Sequence, residues 1–85
     1  MTVLFTDTAA KQLSKLDRPV AQSITDYLKE VEGLDDPRSR GHALVGNLVG
    51  LWRYRVGDMR ILCRIEDAEL IILILELGHR KSIYR

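Results

Sequence analysis

Residues 1–85 read as a single small α+β domain of order βααβββ, a two-helix hairpin packed on an antiparallel sheet. Two stretches in the first third repeat apolar residues at helical spacing. The second half alternates apolar and polar residues at strand spacing. Two pairs of turn residues, Gly57-Asp58 and Asp67-Ala68, divide that half into three strands.

Residues 3–6 form a short first strand by this reading, and Asp7 is placed to cap the helix that follows. Ala9, Leu13 and Leu16 recur on one face of that helix. The break falls at Asp17-Arg18-Pro19, where Asp17 can cap a second helix and Pro19 is tolerated in its first turn. Val20, Ile24, Tyr27, Leu28 and Val31 make its apolar stripe, and Gly33 marks its end. Residues 34–49, with Pro37, Gly41 and Gly46, read as a loop. Strands are expected over 51–56, 59–66 and 69–77. The unbroken apolar run 70–75 predicts a central strand covered on both faces. Gly78 ends it, and 79–85 is a basic tail.

The composition, 46% apolar and 29% charged, belongs to a globular chain rather than a disordered one. No apolar run reaches the roughly 18 residues of a membrane span, and the first residues lack the basic start of a secretory signal. Cys63 is the sole cysteine, so neither a disulfide within the chain nor a cysteine-based zinc site is expected. These features predict a cytoplasmic protein without a membrane role and without a metal. The formal net charge is +1, but it is unevenly spread. Residues 1–37 carry four basic and seven acidic side chains, residues 38–85 nine basic and five acidic, and eight of those nine are arginine. Arginine is the side chain suited to bidentate phosphate contacts and to stacking on bases.

Strand alternation then says where those arginines point. In residues 51–56, Trp52, Tyr54 and Val56 share one face and Arg53 and Arg55 the other. In residues 59–66 the odd positions are apolar, and Arg60 and Arg64 face away from them. A two-residue turn at Gly57-Asp58 sets Arg55 opposite Arg60 and gathers Arg53, Arg55, Arg60 and Arg64 on one face. Like charges opposed on a sheet cost stability, and the one acid of matching parity on that strand is Glu66. Such a cluster is an anion site suited to phosphate. Trp52 and Tyr54 are expected in the core, Cys63 as a buried thiol and His42 as a surface loop histidine.

Two blocks carry a family resemblance. Gly50-Leu51-Trp52-Arg53-Tyr54-Arg55-Val56-Gly57-Asp58-Met59-Arg60-Ile61-Leu62 and Leu77-Gly78-His79-Arg80-Lys81-Ser82-Ile83-Tyr84-Arg85 resemble the arginine-rich hairpin and the C-terminal segment of the RelE/ParE toxin superfamily. The resemblance implies a RelE-like fold and the toxin of a type II toxin–antitoxin pair. RelE-type members enter the ribosomal A site and cleave mRNA without metal or cofactor. The ribose 2′-hydroxyl attacks its adjacent phosphate, leaving a 2′,3′-cyclic phosphate and a 5′-hydroxyl. By this resemblance Arg60 stabilises the pentavalent phosphate, Arg80 assists the leaving oxygen, and Tyr84 is the general base or stacks on a base. Arg53, Arg55, Arg64 and Lys81 would hold RNA. Arg53 and Arg55 stand where RelE itself carries lysines, which keeps the charge but removes a titratable group. His79 is the alternative acid or base, since strict pairing across Asp67-Ala68 sets it on the Arg60 face. The implied partners are a cognate antitoxin, the 70S ribosome and mRNA, with operator DNA bound through the antitoxin complex. A ParE-like inhibitor of DNA gyrase and a non-catalytic toxin or RNA-binding module are the competing readings.

Overall fold

A computed structural model describes residues 1–79. The order is β1 (Thr2–Phe5), α1 (Asp7–Ser14), α2 (Arg18–Glu32), β2 (His42–Ala43), β3 (Trp52–Val56), β4 (Met59–Glu66) and β5 (Ile71–His79), with short 3₁₀ turns at Pro37–Ser39 and Gly46–Leu48. Arg80, Lys81 and Tyr84 lie outside the described residues.

The five strands form one sheet ordered β1-β5-β4-β3-β2. All neighbours are antiparallel except β1, which runs parallel to β5. The helices cover one face. There Ile24, Leu28 and Val31 of α2 and Ala9 of α1 meet Tyr54, Met59, Ile61, Cys63, Ile65, Ile72, Ile74 and Leu77, and all are buried. Each fully buried aliphatic side chain of this kind stabilises the fold by about 1.5–3 kcal/mol.

Capping differs by one residue from expectation. Thr6, not Asp7, is the N-cap of α1, and its hydroxyl accepts from the Ala9 N–H at 3.1 Å. Asp7 is instead the first helical residue, where a negative charge favours the helix dipole. Asp17 occupies the N-cap of α2 without a side-chain bond, and Gly33 closes that helix as read from the sequence.

The stretch expected as plain loop contains β2, two residues paired with Arg53 and Trp52. It is pinned from within. The Trp52 indole N–H donates to the Arg40 carbonyl at 2.8 Å, and the Tyr54 hydroxyl donates to the Pro37 carbonyl at 2.6 Å. Tyr54 meets Tyr27 edge-to-face at 5.9 Å, and the Arg40 guanidinium lies 5.5 Å over the Tyr27 ring. Gly41, at φ 83°, passes so close to β3 that a Cβ there would collide with the Arg53 carbonyl oxygen, so only glycine fits.

The β4–β5 connection also departs from the two-residue turn. It spans Asp67 to Leu70, with Leu70 at φ 56°. Arg38 braces it with a bidentate pair to Asp67, both contacts 2.9 Å. Glu66 pairs with Ile71 and Cys63 with Ile74, but Leu62 pairs with Glu76. Leu75 is therefore a bulge, and every β5 side chain beyond it changes face. β5 is an interior strand as expected, yet Ile71 and Leu73, on the face without helices, are only half-buried.

Candidate nucleic-acid interface

The sheet face opposite the helices carries the arginines. Arg55 stands directly opposite Arg60, and Val56 opposite Met59, the register read from the Gly57-Asp58 turn. Arg53 stands opposite Leu62, with Arg64 two residues further along β4. Cβ atoms of directly opposed residues lie about 4.5–5.5 Å apart, so Arg55 and Arg60 can address one phosphate group together. The sequence thus brings all four predicted strand arginines to one face.

Their electrostatic states differ. Arg64 is neutralised by Glu66, its Nε 2.5 Å from the carboxylate. No carboxylate among the described residues pairs with Arg53 or Arg55. Among the described residues the Arg53 Nε is buried without a hydrogen-bond partner, an uncompensated donor of the kind that folded proteins rarely tolerate away from functional sites. Arg38 and Arg40 contribute nothing to this face, being paired to Asp67 and Glu30. Packing along the face is close. Leu62 is only 4% exposed although no helix covers its side of the sheet, with Arg53 opposite it and Arg60 and Arg64 along its strand.

His79 is not on this face. The Leu75 bulge pairs it with Met59, and the position opposite Arg60 is taken by Gly78. His79 instead lines a cleft of about 260 Å³ between the start of α2 and the β3–β4 turn, with Val20, Ser23, Val56 and Asp58. His42, expected on the loop surface, is exposed on β2 opposite Arg53, and so borders the arginine face. The residue that sequence reasoning missed is Glu76. Strict alternation would turn it toward the core, but the bulge sets it opposite Leu62 among the arginines.

Two other reactive side chains are withdrawn from chemistry. Cys63 is fully buried, its S–H donates to the Trp52 carbonyl at 3.3 Å, and burial pushes the thiol up to about 12. Burial likewise raises the Tyr54 phenol far above its ordinary range. Among the described residues no group of three or more His, Cys, Asp or Glu side chains is arranged to hold a metal ion. No described helix is long and apolar enough to cross a membrane.

Comparison with known proteins fits this architecture. Residues 3–84 match the model of the ParE toxin of type II toxin–antitoxin systems. The chain belongs to the RelE/ParE toxin family. It is 33% identical over 84 residues to Toxin RelG of Mycobacterium tuberculosis, covering 99% of this chain and 95% of that protein. It is 32% identical over 85 residues to Toxin RelE of the same organism, covering 98% and 84%. The toxin–antitoxin complex RelBE2 of Mycobacterium tuberculosis contains a chain that superposes with a TM-score of 0.83 at 31% identity, covering 93% of this chain and 96% of that one. The isolated Escherichia coli RelE toxin has the same fold, with a TM-score of 0.75 at 18% identity over 98% and 89% of the two chains. This RelE/ParE chain is thus a type II toxin by family, its two helices packed on a five-stranded, mostly antiparallel sheet.

Proposed function

We propose that this toxin is a ribosome-dependent endoribonuclease that cleaves mRNA in the A site by 2′-hydroxyl attack and so stops translation. The observation that carries this reading is the arginine face, with Arg55 and Arg60 directly opposed and Arg53 and Arg55 lacking carboxylate partners among the described residues. Guanidinium groups gathered on one face suit the phosphate backbone of RNA.

Arg60 stabilises the negative charge that gathers on phosphorus in the transition state. A fixed guanidinium does this without reorganising at the moment of reaction. Arg53, Arg55 and Arg64 hold the backbone on either side, with Lys81 extending the grip. Arg80 assists the leaving 5′-oxygen, and Tyr84 serves as base or stacks on a nucleobase. His79 is set aside, since it lies on the helix-covered face with Met59. The toxin works in the cytoplasm, and no metal or cofactor enters the scheme.

The solved relatives include a toxin–antitoxin complex, and a cell making an mRNA-cutting enzyme survives only if the enzyme is held inactive. A cognate antitoxin therefore masks this face or the segment beyond residue 79, and its complex with the toxin binds operator DNA. The match to the ParE model favours a second reading, inhibition of DNA gyrase. The low net charge of +1 favours a third, a non-catalytic RNA-binding module.

Primer extension on mRNA translated in a purified bacterial system, with wild type beside Arg60→Ala, tests the proposal. Discrete A-site cuts that vanish without ribosomes, and fall on the order of 10²–10³-fold in Arg60→Ala, are expected. Intact mRNA in the presence of wild-type toxin would sink the reading and turn attention to a gyrase supercoiling assay.

A further inference from the structure

Resting on the ribonuclease reading above, we infer that Glu76 is the general base of the cleavage, taking the proton of the attacking 2′-hydroxyl while Arg60 holds the phosphate. The Leu75 bulge carries this assignment. It turns Glu76 onto the arginine face and His79 off it, the kind of re-aiming for which bulges occur beside active sites. Glu76 stands opposite Leu62, diagonal to Arg60, and diagonal neighbours across an antiparallel pair lie about 7–8 Å apart. A phosphate held by Arg60 therefore has Glu76 within reach of its adjoining ribose.

The other candidates on this face fail on chemistry or position. Arginine stays protonated at any working pH and takes no proton. Glu66 is engaged by Arg64 at 2.5 Å. His42 lies on β2, two strands from Arg60. No ion pair or hydrogen bond engages the Glu76 carboxylate among the described residues, and the side chain is half-buried, so little water competes for it. The charged residues of the elements beside β5 are Arg60, Arg64 and Glu66 on β4, Arg53 and Arg55 one strand further on, and Asp7 and Lys11 on α1. The arginines among them set the field in which the carboxylate sits.

In this step the 2′-oxygen forms a bond to phosphorus, its proton passes to the Glu76 carboxylate, and the phosphorus–5′-oxygen bond breaks. The leaving 5′-oxygen takes a proton from a solvent water, and the hydroxide so formed is neutralised by the Glu76 carboxylic acid, so a 2′,3′-cyclic phosphate and a 5′-hydroxyl remain and the carboxylate is restored. As Glu76 becomes neutral, negative charge moves onto the phosphorane, and the arginine field that surrounded the carboxylate stabilises the transition state instead.

Single-turnover cleavage on ribosomes programmed with mRNA, followed from mildly acidic to mildly alkaline pH, tests the assignment. Glu76→Gln keeps the shape and removes the base. It should bind programmed ribosomes at least as tightly as wild type yet cut on the order of 10²–10⁴-fold more slowly. Its rate should climb steadily with pH as hydroxide takes over, where the wild-type rate levels off. Glu76→Asp, with the carboxylate retracted, should cut at an intermediate rate and keep the wild-type pH profile. Glu76→Gln cutting as fast as wild type, or faster, would overturn the assignment and make Glu76 a counter-charge to the arginines. A wild-type protein that leaves ribosomal mRNA intact overturns the ribonuclease reading itself, whatever the variants do.

Discussion

Tyr54 and Cys63 are neighbours in the core, and both are held in their neutral forms by the same cause. The thiol rises to about 12 from an ordinary value of 9.0 because burial penalises the thiolate, and the phenol rises for the same reason. A group whose folded value lies above its unfolded one contributes stability that is complete below the unfolded value and is lost as pH climbs toward the folded one. The midpoint of urea unfolding should therefore hold steady near neutral pH and fall progressively above pH 9.0. Cys63→Ala should start from a lower midpoint, through the cavity it leaves, and then decline less steeply between 9.0 and 12. An equally steep decline in the variant would remove Cys63 as the cause. The burial of Tyr54 and Cys63 was legible from strand parity alone, because β3 and β4 alternate cleanly. Glu76 was not legible, because the run before it, Ile71-Ile72-Leu73-Ile74-Leu75, is apolar on both faces and carries no parity signal.

The bulge in β5 has its cause elsewhere in the chain. β1 ends at Phe5, so β5 runs on beyond its parallel neighbour and needs other partners for its backbone. The Thr6 hydroxyl donates to the Leu75 carbonyl at 2.9 Å, and the Leu77 N–H donates to Gln12 Oε1 at 2.8 Å. Two polar side chains at the start of the chain thus fix the bulge near its other end, and no local pattern could announce it. Gln12→Ala leaves the Leu77 N–H without its acceptor and should cost about 1–3 kcal/mol. The matching local sign is faster hydrogen exchange at the Leu77 amide, read by NMR beside the amides of β3 and β4 as unaffected controls. Unchanged exchange at Leu77 would show that the bulge is held by the sheet alone. The two helices and the β3–β4 hairpin were readable because their signals are local, in apolar spacing and turn residues. The two-residue β2 was not, since its position depends on the close approach of Gly41 to Arg53 and on the Trp52 bond to Arg40.

Over the whole molecule, the helices and the arginines take opposite sides of one sheet. The helix-bearing part of the chain is net acidic and the remainder net basic, which a formal charge of +1 conceals. Binding to single-stranded RNA should weaken with salt, with a log–log slope of about −0.7 for each phosphate neutralised. Arg55, exposed and without a carboxylate partner among the described residues, should account for one such phosphate. Arg55→Ala is expected to make the slope shallower by about one contact and to weaken all sequences alike. Fluorescence anisotropy across a salt series measures this, and a slope unchanged in the variant would place the RNA elsewhere. The α+β class and the arginine face are legible in the amino-acid order, because alternation and one tight turn determine them. The closure of the sheet is not, because β1 and β5 are joined only in space.

That closure bears on how the protein is made. Thr2–Phe5 leave the ribosome well before their hydrogen-bonded neighbour Ile71–Ile74. At about 5–20 residues per second, the opening strand waits several seconds without its partner. Through that interval the helices have no finished sheet to cover, and the arginine face has no β5 to supply Glu76. The arginine face is therefore incomplete until β5 has been made, and an antitoxin already present can meet the toxin before that face is assembled.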